Sequence, residues 1–109
     1  MAKAPGEWTP ARATKEINAC ARSDSLTLSW KHHAKDQMRD RGIIMGDVLH
    51  VLRRGFVYGP PRNATRVGYH KYIVETTTPN SDGRAVGVVV IPDGGCELKI
   101  ITVMWRDEL

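Results

Sequence analysis

The spacing of apolar residues changes once along the chain, at Gly55, and that change restricts the fold more than any other feature. Before Gly55 apolar residues recur at helical spacing; after it they alternate or run together as they do in strands. "TPARATKEINACARS" reads as a first helix. Thr9 can cap it, Pro10 suits its first position, and Ala13, Ile17, Cys20 and Ala21 share one side. Ser29 is a plausible cap for a second helix that stops at Gly42, and Val48, Val51 and Leu52 form the apolar stripe of a third, ended by Gly55. Helices are thus expected near 10–22, 30–41 and 47–54.

After Gly55, "FVYG" is a short strand candidate and "PPRNATRVG" a loop. "YHKYIVET", "RAVGVVVI" and "ELKIITVMW" predict strands near 69–76, 84–91 and 97–105, joined by the turn sequences "TTPNSDG" and "PDGG". Tight links between consecutive strands imply an antiparallel meander. Helices first and strands after imply an α+β fold, with N-terminal helices packed on a C-terminal antiparallel sheet. The 109 residues suffice for a single domain, with residues 1–8 read as a loose tail and 9–28 as an N-terminal extension helix.

The net charge of +4 mildly favours an anionic partner, such as RNA, DNA or an acidic protein. No apolar run approaches the ~20 residues of a membrane span, and "MAKAPGEW" lacks the apolar core of a signal peptide. Cys20 and Cys96 lie far apart with no metal-type spacing, so they read as two reduced thiols of a cytoplasmic protein. No cluster has zinc spacing and no glycine loop of phosphate-cradling type is present, so neither metal nor cofactor is expected.

"SWKHHAKDQMRDRGI" raises the question of chemistry. On a helical wheel Trp30, Ala34, Met38 and Arg41 share a face, with Gln37 on it and His33 at its margin. His32 points the opposite way and reads as solvated. His33 is either a satisfied core histidine or a site residue. Arg41 either lays its stem on the core and holds carbonyls or a carboxylate, or is a fixed cation beside a phosphate. In the first long strand His70 and Tyr72 share one face while Tyr69 and Lys71 take the other.

In order, "HHAKDQMRDRGI", "GDVLHVLRRG", "YHKYIVET", "GRAVGVVVI" and "LKIITVMWRDE" resemble the blocks of the domain-of-unknown-function family 4258, over residues 29–108. That family looks like a branch of the barnase–EndoU–colicin–RelE group of metal-independent ribonucleases, many of them toxins of toxin–antitoxin pairs. His33, Ala34, Met38, Arg41, Gly42 and Ile43 match its pattern directly. Lys31 and Ile44 stand where serines are usual, Gln37 where an arginine is usual, and Gly87 where a histidine is expected.

The resemblance implies an endoribonuclease of toxin type that cuts RNA through 2′-hydroxyl attack, with an antitoxin or other protein as a further partner. Such a site needs a proton acceptor, a proton donor and fixed cations. The expected catalytic set is His33, Arg41, His70 and Tyr72, converging where the second helix crosses the sheet. Lys71, Arg53, Arg54, Arg62, Arg66 and Arg84 are expected to bind RNA. The alternative is a catalytically degenerate module on the same fold that binds protein or RNA, motivated by Gln37 and Gly87. A helix-turn-helix DNA reader built on the second and third helices ranks last, because Val48, Val51 and Leu52 are needed for the core.

Overall fold

A computed structural model describes residues 4–108, and it is an α+β fold. The elements in chain order are α1 (Pro10–Ala21), β1 (Thr27–Trp30), α2 (His32–Arg41), α3 (Met45–Arg54), β2 (Phe56–Val57), β3 (Arg62–Asn63), β4 (His70–Thr77), β5 (Ala85–Asp93) and β6 (Glu97–Trp105). The sheet order is β1-β6-β5-β4-β2, with β3 also pairing β4. β4, β5 and β6 form the expected antiparallel meander. The sheet as a whole is mixed, because β1 pairs with β6 in parallel, Thr27 opposite Glu97 through Trp30 opposite Ile100.

That parallel edge explains why Ser29 does not cap α2. Pairing with β6 holds residues 27–30 extended, and the Lys31 N–H donates to the Ile100 carbonyl at 2.9 Å, so α2 starts only at His32. A long-range ladder here overrides a local cap preference. The other ends follow the sequence more closely. Thr9 Oγ1 accepts from the Arg12 N–H at 3.2 Å, and Gly42 closes α2 with φ +66. Ile44 has no capping oxygen. Asp47 supplies one from within α3, accepting from the Ile44 N–H at 3.1 Å and from the buried Thr78 hydroxyl at 2.7 Å.

α1 packs on α3, α3 on β4 and β5, and α2 on β6. The core between them holds Ile17, Ala34, Val48, Val51, Leu52, Tyr72, Val74, Val86, Val88, Val90, Leu98, Ile100 and Val103. Along β4 and β5 these core residues alternate with half-buried ones, apart from Gly87, which Arg106 covers, so one sheet face is covered and the other is largely open. Gly55 ends α3 by close approach rather than by a left-handed φ. A methyl group there would press on the Val51 carbonyl oxygen and stand 2.8 Å from Val74 Cγ1. Gly55→Ala is therefore expected to lower stability by about 2 kcal/mol, read as a shift of the urea midpoint; an unchanged midpoint would show that the α3–β4 contact yields freely.

Two further expectations are corrected. Residues 1–3 lie outside the described residues, but Gly6 and Trp8 are not a loose tail. The Gly6 N–H donates to the Gly68 carbonyl at 3.1 Å, and Trp8 is buried against the Tyr72 ring. Cys20 and Cys96 are not free thiols. They form a disulfide with Cα atoms 4.9 Å apart, tying the end of α1 to the turn before β6. Joined in this way, the two cysteines give no support to a cytoplasmic location. Along β6 the alternation of faces is interrupted. A bulge shifts its register between Val89 opposite Thr102 and Val90 opposite Ile100, so Ile101 and Thr102 both line the open face.

Candidate nucleic-acid interface

The expected catalytic set does not converge. His70 and Tyr72 do share a face of β4, but it is the covered one. The Tyr72 hydroxyl accepts from the Trp8 N–H at 2.8 Å, and burial raises its pKa above the ordinary value. His70 is nearly enclosed, with Nδ1 unpartnered among the described residues and Nε2 3.9 Å from a Glu7 carboxylate oxygen. His33 and Arg41 belong to α2, which packs on β6, and the strand order places β5 between β6 and β4. Arg41 is satisfied, its Nε donating to both carboxylate oxygens of Glu108 at 2.8 and 2.9 Å. The Trp105 N–H and Arg41 hold Glu108 below the usual carboxylate range. His32 is solvated as expected, 3.5 Å from Asp36.

Gln37 has a clear purpose. Beyond the last β1 pairing, the Val103 N–H on β6 donates to Gln37 Oε1 at 3.0 Å. That bond fixes the carboxamide, so Nε2 is the donor in the 3.1 Å contact with His33 Nε2, and the imidazole accepts. An arginine has donors only and would leave Val103 unpaired. Gln37→Arg is expected to cost about 1–2 kcal/mol, checked by denaturant melts; equal stability would mean that water replaces the carboxamide.

Gly87 is equally informative. The Arg106 side chain lies across it, with Cδ 2.6 Å from where a Cβ would stand. Arg106 Nε is 2.9 Å from Glu75 Oε2, a charge contact whose N–H points off the oxygen. A cation thus occupies the space above Gly87, where the resemblance leads to a histidine.

The open face gathers the remaining chemistry. Two clefts, of about 460 and 340 Å³, meet there and share Lys71 and Ile101. Strand registers order their residues in rows. Glu97 pairs with Asp93 and with Thr27, with Tyr69 beside them. Two positions along, Lys99 pairs with Ile91 and Ser29, and Lys71 with Arg62. Next come Ile73, Val89 and Ile101, and the far end is the row Glu75, Gly87 and Met104, crossed by Arg106. Lys31 and Arg66 flank the first cleft. Among the described residues Lys31, Lys71, Lys99, Arg62 and Arg66 make no ion pair with a carboxylate. The Arg66 guanidinium lies 4.2 Å over the Tyr69 ring. The Tyr69 hydroxyl donates to Asp93 at 3.1 Å, and burial followed by that bond raises its pKa.

Of the residues expected to bind RNA, Lys71, Arg62 and Arg66 reach this groove. Arg53 does not: its Nε donates to the Ala21 carbonyl and clasps α1. Arg54 is exposed at the end of α3, and Arg84 pairs with Asp107 over the Trp105 ring. Lys31, Lys99, Tyr69 and Arg106 were not anticipated as groove residues. Lys99 carries a legible signal, a charge between buried Leu98 and Ile100; Lys31 has none, because its place depends on the β1–β6 pairing. Among the described residues no group of three His, Cys, Asp or Glu side chains could hold a metal ion, and no helix is long and apolar enough to cross a membrane.

No curated protein and no solved structure matches the chain. The model of the family described as Domain of unknown function (DUF4258) matches residues 30–105, from the end of β1 to the end of β6, and so takes in α2, α3, the meander and most of the open face. The chain belongs to the DUF4258 family of domains of unknown function.

Proposed function

We propose that the open sheet face binds single-stranded RNA and that the chain cuts the bound strand without a metal, by attack of a 2′-hydroxyl. The observation that carries this reading is the groove itself: five cations that have no carboxylate partner among the described residues, around a half-buried aliphatic floor of Ile73, Val89, Ile91 and Ile101. Free cations along a groove track a phosphate backbone, and an apolar floor accepts riboses and bases. The resemblance to metal-independent ribonucleases of toxin type supports cleavage as the outcome.

In this reading the groups that do chemistry differ from the residues first expected. Glu75 takes the 2′-hydroxyl proton, the 2′-oxygen attacks phosphorus, and the bond to the 5′-oxygen breaks as that oxygen takes a proton from water. Arg106, beside Glu75, holds the charge that builds on the phosphoryl oxygens. Products are a 2′,3′-cyclic phosphate and a free 5′-hydroxyl. The test is total RNA incubated with the purified chain in EDTA. Cleavage with cyclic-phosphate ends, reduced about a hundredfold by Glu75→Gln, supports the proposal, and cleavage that needs a divalent ion contradicts it.

A second reading, a binding module without catalysis, is favoured by one observation: Tyr72 is held under Trp8 and His70 is enclosed beside Glu7, so neither reaches a substrate on the open face. RNA binding with no cleavage under any condition would select it.

A further inference from the structure

The larger cleft is chemically polarised along the strands. One row presents carboxylates, Asp93 and Glu97; the next, two residues on and so roughly 7 Å away, presents Lys71 and Lys99. A site for phosphate alone has no use for carboxylates, which repel it. A nucleotide has use for both, since its phosphate is anionic and its base edge carries N–H donors.

Asp93 is already engaged. Its Oδ1 accepts from the Tyr69 hydroxyl at 3.1 Å and from the Gly94 N–H at 2.7 Å, which fixes the acid end of the cleft. Glu97 is different. It is half-buried on the first residue of β6, its side chain lines the cleft, and among the described residues it makes no side-chain hydrogen bond or ion pair. Beside it, one face of the Arg66 guanidinium rests on the Tyr69 ring, which leaves the other as a stacking plane for a base.

On the reading that this groove binds RNA, we infer that the cleft is a guanine subsite, with Glu97 as the reader of the base. A carboxylate accepts two parallel hydrogen bonds, and guanine is the one common base with two adjacent donors, N1–H and the 2-amino group, on its pairing edge. Adenine and cytosine each set a ring acceptor beside their amino group, which a carboxylate repels. Uracil has one donor between two carbonyls. The base stacks on Arg66, its edge meets Glu97, and its phosphate lies against Lys71 and Lys99.

The test uses fluorescein-labelled, uncleavable 2′-fluoro pentamers UUGUU, UUUUU, UUAUU and UUIUU, read by anisotropy. The guanine probe is expected to bind about tenfold more tightly than the uridine and adenine probes, and inosine, which lacks the 2-amino group, about fivefold more weakly than guanine. Glu97→Gln is expected to bring the guanine probe to within about twofold of the uridine probe, whereas Lys99→Ala weakens all four probes together. Equal affinities for the four probes, a preference for another base, or a guanine preference that survives Glu97→Gln overturns the guanine subsite and leaves RNA binding standing. Failure of every probe to bind removes the RNA-binding reading itself.

Discussion

Reversing the lysine row, Lys71→Glu together with Lys99→Glu, is expected to lower the affinity for a short single-stranded RNA by about a hundredfold at about 0.1 M salt. Both side chains stand on the open face with no carboxylate partner among the described residues, so each is free to neutralise a phosphate. Losing two such contacts also lowers the slope of log affinity against log salt by about 1.4. The matched control is Lys15→Glu with Lys35→Glu, the same charge change on exposed positions of α1 and α2. It should alter affinity by no more than about threefold, since exposed charges beyond a Debye length of about 10 Å are screened. If both double variants weaken binding equally, the effect is one of net charge and the groove has no special role.

The second large effect concerns the disulfide. Replacing Cys20 and Cys96 by serine, or reducing the bond, is expected to cost about 4 kcal/mol of stability. The bond closes a loop with a sequence separation of 76, and the entropy it removes from the unfolded chain grows with loop length. The consequence reaches the site. Cys96 sits in the turn between Asp93 and Glu97 with φ +59, a conformation that non-glycine residues disfavour, and the bond to α1 holds it there. The reduced chain should therefore unfold at lower urea and show weaker discrimination among bases. Coincident urea curves with and without reductant would show that the bond does not constrain the unfolded chain.

The fold was legible because its signals are local. Helical spacing at Ala13 and Ile17 or at Val48, Val51 and Leu52, and alternation around Val74, Val86 and Val88, each report one buried side. The parity of β4 was legible too, His70 and Tyr72 on one face and Lys71 on the other. Which face is covered was not, because that depends on Trp8 and α3 reaching β4 from far away in sequence. The same limit hid β1. Its four residues carry little pattern of their own and are strand only because Glu97–Ile100 lies beside them. The disulfide, the room above Gly87 taken by Arg106, and the Gln37 bond to Val103 are likewise contacts between distant residues. The candidate site is assembled almost entirely from such contacts, so its residue types were visible and its membership was not.

RNA seated on the open face of the sheet would change the surroundings of the backbone amides of that face. The most direct measurement is the perturbation of amide resonances in a uniformly labelled sample titrated with an uncleavable pentamer. Shifts are expected at Lys71, Ile73, Val89, Ile91, Lys99 and Ile101 and in the Thr65–Tyr69 segment, with α1 and α3 unaffected. Shifts centred on α2 and α3, with those open-face residues silent, would contradict it.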